Sequence, residues 1–195
     1  MTENERDLVV YESHKPLLAK WLKILLYAHL ASVACSLLGL IPVVSVVAGW
    51  GSTAVSVACI YALFQLSSAC TRYQKAAIFS AVALVCGLVA QSILSLVISI
   101  CSIVAMYQEY MGHSEATAQT DPALSGKWNS LFTIQLVVGI LSGVASSAGV
   151  VIGVFAQMST DALVGIIVFV MAVIGIGVEL LYLNYLNQML KYYSE

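Results

Sequence analysis

Two ionisable side chains, His29 and Glu179, stand inside long uncharged apolar stretches and have the most capacity for chemistry in this chain. An imidazole and a carboxylate in contact can hold or pass a proton, and an ionisable group at membrane depth is expensive unless it has a function or a partner. Depth tempers the expectation for Glu179. A crossing of ~20 residues that begins near Ala162 ends near Leu181, so Glu179 falls at a headgroup boundary, hydrated or bonded to Tyr182 one turn on. His29 lies about two turns, ~10 Å, inside the first apolar segment, where a neutral ring bonded to a neighbouring helix is the ordinary arrangement. The two can meet only if both ends of the chain lie on the same side.

Other polar positions are weaker. Ser92, Ser95, Ser99 and Ser102 recur at intervals of three and four, with Gln91 beside them, placing hydroxyls along one helix face. Such a stripe either lines a polar path or, more often, lets helices approach and bonds back to its own carbonyls. Gln135 is a further amide within an apolar run. Gly139 and Gly143, and again Gly149 and Gly153, form two pairs at four-residue spacing, each flattening a helix face for backbone contact with another helix. That helix is expected at the centre of a bundle or at an interface between protomers.

Catalytic signatures fail one by one. The chain has no HExxH, no Walker loop and no GxSxG elbow, so it is expected to be no enzyme, with no catalytic residues, metal ligands or cofactor-binding residues. Cys35, Cys59, Cys70, Cys86 and Cys101 form no CxxC pair or zinc-spaced cluster and are expected to be free thiols serving as small apolar side chains. A net charge of −2 offers no basic face for nucleic acid.

The elements that position these residues follow from composition. Only 9% of the 195 residues are charged, 61% are hydrophobic, and mean hydropathy is +0.94. A soluble domain carries about a quarter charged residues, so a bilayer is the medium this sequence requires. The expected fold is an all-α polytopic transmembrane bundle of about five spans, with four as the alternative. The apolar segments are 22–41, 44–68, 76–106, 131–155 and 162–183. The third is long enough to tilt or project but not to cross twice. A cytoplasmic N-terminal tail occupies 1–21, and residues 22–195 form the transmembrane domain with an exposed loop at about 107–128. The acidic leader argues for a retained first span rather than a cleaved signal.

Lys and Arg near the N-terminus favour a cytoplasmic start in the cell membrane. Five crossings would then leave Lys191 outside, against that rule. Segments 61–66 and 181–186 are alike, and three crossings between them would make an inverted repeat.

Two functional classes follow. The first is a structural or accessory membrane protein acting through helix–helix contacts. Its partners would be the lipid bilayer and, through the glycine pairs, a second copy or another membrane protein. The second is a small transporter or channel using the serine stripe, Gln91, Gln135 and Glu179.

Overall fold

The computed structural model describes residues 3–39, 41, 43–90, 93–118, 120–156 and 160–194. Side chains are described for 15–39, 41, 43–89, 93–118, 120–144 and 169–194. Among these residues there are six helices and no strand: α1 (Glu3–Gly39), α2 (Ser45–Leu66), α3 (Thr71–Ala90), α4 (Ser95–Thr117), α5 (Pro122–Ala156) and α6 (Thr160–Ser194). Helix is what these apolar runs must form, because hydrocarbon offers no other partner for backbone N–H and C=O groups. Four of the helical stretches are long and apolar enough to cross a membrane among the described residues: Lys15–Gly39, Ser45–Leu66, Thr71–Val89 and Phe169–Ser194. The chain is therefore a helical membrane bundle. Helices α5 and α6, each of 35 residues, extend to ~52 Å, well beyond a hydrocarbon core of ~30 Å, so they tilt or project.

Two expectations need correction. The segment 76–106 is not one long helix: it belongs to two antiparallel helices, α3 and α4, packed on each other. No charge or proline marks the break, and Leu94 at the N-cap of α4 makes no side-chain capping bond, so the turn leaves little trace in the sequence. Nor is 107–128 an exposed loop. It comprises the last turns of α4, a short turn and the first turns of α5, and Tyr110, His113, Thr117, Leu124 and Trp128 are buried within it. The start of α5 is set by Asp121, whose Oδ1 accepts the Leu124 N–H at 2.9 Å, with Pro122 in the first helical position. Finally, the tail at 1–21 is helical from Glu3 and continuous with α1, and its Leu18 and Trp21 are core residues.

Each helix packs on its sequence neighbours, and α6 returns to α1, closing an up-and-down ring. The packing is uneven along the ring axis. At the end holding both termini, Leu18, Leu22, Leu25, Leu63, Leu66, Tyr73, Trp128, Tyr182, Leu186, Met189 and Tyr193 form one continuous core. Toward the other end, Leu37, Leu38, Val46, Val47, Val85, Leu88, Val89 and Leu96 are all exposed. Every Lys and Arg falls toward the packed end: Arg6, Lys15, Lys20 and Lys23 before position 24 of α1, Arg72 and Lys75 opening α3, Lys127 opening α5, and Lys191 closing α6.

The likeness of 61–66 to 181–186 has a packing cause. Helices α2 and α6 run in the same direction, so the pair is not an inverted repeat. Ala62, Leu63 and Leu66 are buried at the same relative positions as Tyr182, Leu183 and Leu186, because both helices turn the same face to one core.

Candidate functional site

At the upper edge of the packed core the ring encloses a cavity of about 460 Å³ to which all six helices contribute. Its polar lining comprises His29 and Ser32 of α1, Ser56 and Cys59 of α2, Ser80 of α3, Ser102, Glu109 and Tyr110 of α4, Gln135 of α5, and Glu179 and Tyr182 of α6. Apolar side chains such as Val55, Ile60, Leu84 and Ile98 complete the wall. No Lys or Arg lines it among the described residues. The volume is that of a small-molecule site.

His29 is the hub. Its Nδ1 lies 2.8 Å from Glu179 Oε1 and its Nε2 lies 3.5 Å from Glu109 Oε1, so one ring bridges two carboxylates. Tyr182 stacks on the His29 ring with centroids 4.4 Å apart and donates its hydroxyl to Glu109 Oε1 at 2.5 Å. Behind them, His113 is fully buried and shares hydrogen bonds with two phenols: Nδ1 with the Tyr73 hydroxyl at 2.9 Å, and Nε2 with the Tyr182 hydroxyl at 3.2 Å.

Donor geometry orders this set. Because Tyr182 donates to Glu109, its oxygen accepts from the His113 Nε2–H, which leaves Nδ1 to accept from Tyr73. A continuous sequence of donors thus runs Tyr73, His113, Tyr182, Glu109, ending on the carboxylate that also faces His29. Trp128 stacks on His113 at 4.5 Å and Tyr110 packs edge-on to Trp128 at 5.8 Å, fixing both imidazole and phenols.

Local sequence explains the placement. Glu109 and His113 are four residues apart on α4 and therefore share its inner face, as do Glu179 and Tyr182 at a spacing of three on α6. The antiparallel α1 and α6 bring His29 level with Glu179.

The sequence-derived candidates divide as follows. His29, Glu179, Ser102 and Gln135 converge on the cavity. Gln135 Oε1 is buried there without a hydrogen-bond partner. Ser95 and Ser99 are exposed, and the Ser99 hydroxyl bonds back to the Ser95 carbonyl at 2.9 Å, so the stripe does not run as one polar path. Gln91 and Ser92 lie outside the described residues.

A Cβ added at Gly139 would meet nothing within 4 Å among the described residues. The surroundings of Gly149 and Gly153 lie outside the described residues. The five cysteines are free, with Cys101 buried and Cys59 in the cavity wall. No three His, Cys, Asp or Glu side chains are grouped to hold a metal ion among the described residues.

The sequence does not single out Glu109, His113 or Tyr73, because the charged stretch holding Glu109 and His113 reads as a solvated loop. A signal existed in the helical spacing of Glu109 and His113, and in the implausible length of a structureless connection of about 20 residues.

The fold and site together define a ring of six helices, four of them long and apolar enough to cross a membrane among the described residues, with an acidic, histidine-bridged cavity. No family model matches the chain, and no curated protein or solved structure is significantly similar to it.

Proposed function

We propose that this protein is a membrane transporter, not an enzyme, that binds a small cationic solute in the ring cavity and exchanges it against protons. The observation that carries the reading is the lining itself. Two carboxylates, Glu109 and Glu179, face a single bridging imidazole, hydroxyls from Ser32, Ser56, Ser80 and Ser102 surround them, and Lys and Arg are missing from the described wall. With His29 protonated the three groups sum to −1, and a cation can replace the imidazolium charge between the carboxylates. Gln135 Oε1 adds an acceptor that a donor-bearing ligand would satisfy. Binding of the cation would then release a proton from His29, and the Glu109–Tyr182–His113–Tyr73 sequence lies behind it.

The proposed orientation is multi-pass in the cell membrane with both termini cytoplasmic. It is supported by the placement of all eight Lys and Arg residues toward one end. The packed aromatic end then closes the cavity on the cytoplasmic side.

The test uses proteoliposomes with a trapped pH-sensitive dye and an imposed gradient of guanidinium ion. Wild-type protein should drive proton counterflow, and Glu179→Gln should abolish it. Flux no greater than in protein-free liposomes would overturn the proposal.

A second reading, an accessory protein that associates through α5, is favoured by one observation: Gly139 has open space where a side chain would stand. It predicts that Gly139→Leu with Gly143→Leu lowers the oligomer size in mild detergent while insertion is preserved. An unchanged size would dismiss it.

A further inference from the structure

We infer that the ligand is an amphiphilic amine, its cationic head in the ring cavity and its hydrocarbon tail in a lateral cleft between α1 and α6. The inference rests on the cation-binding reading above and names the class of molecule. A second cavity, of about 400 Å³, lies between these helices and shares His29, Ser32 and Glu179 with the first. Away from those three residues the cleft is lined, among the described residues, by Val33, Leu37, Ala172, Gly175 and Ile176, with Ser36 the one further polar side chain.

The lining alternates by helical face. Positions 29, 32, 33, 36 and 37 of α1 stand opposite 172, 175, 176 and 179 of α6, the pattern of two helix faces that ought to pack together. Below His29 and Glu179 the same two helices do pack, burying Leu22, Leu25, Tyr182, Leu186 and Met189. Above the pair they stand apart, and a Cβ built on Gly175 meets nothing within 4 Å. Among the described residues the seam is closed up to the ionic pair and open at the level of Gly175. The result is a continuous path from an apolar cleft to an acidic cavity, with the charged residues at the junction.

That order of surfaces, apolar then acidic, fits an ammonium carried on a hydrocarbon chain. An anionic head meets two carboxylates with no described Lys or Arg to offset them. A phospholipid amine brings a phosphate to the same position, so the proposal is a single-chain amine and not a membrane lipid. The tail contributes through burial, strengthening binding by about fourfold for each methylene removed from water.

The experiment measures binding to full-length protein in nanodiscs by calorimetry with three probes: dodecylammonium, ethylammonium and decanoate. Dodecylammonium should bind at least tenfold more tightly than ethylammonium, and decanoate should not bind. Gly175→Phe fills the cleft and should reduce dodecylammonium to the affinity of ethylammonium while leaving ethylammonium unchanged, which also reports an intact fold. Equal binding of the two amines by wild-type protein, or a Gly175→Phe variant that still distinguishes them, would overturn the tail cleft and leave the cation cavity standing. Equal binding of dodecylammonium in nanodiscs containing excess phosphatidylethanolamine and in phosphatidylcholine would support the inference, whereas its displacement by phosphatidylethanolamine would overturn it in favour of a lipid headgroup. Failure of both amines to bind would remove the cation cavity as well.

Discussion

His29 and Glu179, separated by 150 positions, meet at 2.8 Å where α1 and α6 close the ring. Their contact depends on an even number of antiparallel helices, which brings the two ends of the chain together. His29 also stands 3.5 Å from Glu109, so the imidazole separates two carboxylates that would otherwise face each other.

Removing the imidazole alone should therefore cost more than removing the pair. His29→Ala leaves Glu179 and Glu109 without their shared donor, whereas His29→Ala with Glu179→Gln relieves the like-charge contact. We expect a coupling of about 1–3 kcal/mol in a double-mutant cycle of thermal or denaturant unfolding in detergent. Additive effects would show that the contact is incidental.

Gly112 offers a packing test. A Cβ at this position would stand 3.0 Å from Tyr73 Cε1 and 3.1 Å from its Cδ1, and the Tyr73 ring is fully buried and bonded to His113. It has no free direction in which to yield. Gly112→Ala should destabilise the protein by about 1–3 kcal/mol, as overpacking does. Gly139→Ala, where the space is open, should instead be neutral or stabilising by up to about 1 kcal/mol through helix propensity. Matching melting temperatures for the two variants would contradict this placement of Tyr73.

Much of the fold was legible in the sequence because lipid imposes a simple rule: long uncharged runs become helices. The membrane class, the candidate spans near 22–41 and 44–68, and the residues His29 and Glu179 all follow from it. What escaped was set by packing. Glu109 and His113 look like solvated charges beside Glu115 and Asp121, and only their burial against Trp128 and Tyr182 distinguishes them. Glu115, a turn and a half beyond Glu109, is indeed exposed and pairs with Arg72. The α3–α4 turn was hidden for the related reason that Leu94 supplies no capping side chain. Without that turn the count of helices is odd, and the two ends of the chain fall on opposite sides.

Asp121 should give the fold an acid-sensitive limb. Its carboxylate accepts the Leu124 backbone N–H and the Tyr192 hydroxyl, both at 2.9 Å, and these bonds hold it below the usual aspartate range. A depressed carboxyl stabilises the fold fully above its unfolded value of ~3.9 and loses that contribution as pH falls through the lower folded value. Asp121→Asn keeps a capping oxygen but cannot titrate there. Between pH 7 and pH 2, the difference in melting temperature between wild type and Asp121→Asn should shrink as the solution becomes more acidic. A difference that stays constant over that range would mean the carboxylate has no bonded partner in solution.

Tyr182 makes the sharpest distinction between a connected polar network and isolated contacts. Its hydroxyl donates to Glu109 and accepts from His113, while its ring covers His29. Phenylalanine preserves the ring and its packing but leaves the Glu109 oxygen and the His113 N–H with only longer contacts, 3.5 Å to His29 and 3.7 Å to each other. The penalty for leaving two such groups so poorly satisfied should be about 2 kcal/mol. By contrast, Tyr192→Phe removes one exposed hydrogen bond to Asp121, and the expected loss is no more than about 1 kcal/mol. If Tyr182 acts through its hydroxyl, Tyr182→Phe should also slow proton counterflow in proteoliposomes relative to Tyr192→Phe, after correction for the amount of folded protein. Equal stability and equal flux for the two variants would reduce Tyr182 to an apolar filler and break the donor sequence between Glu109 and His113.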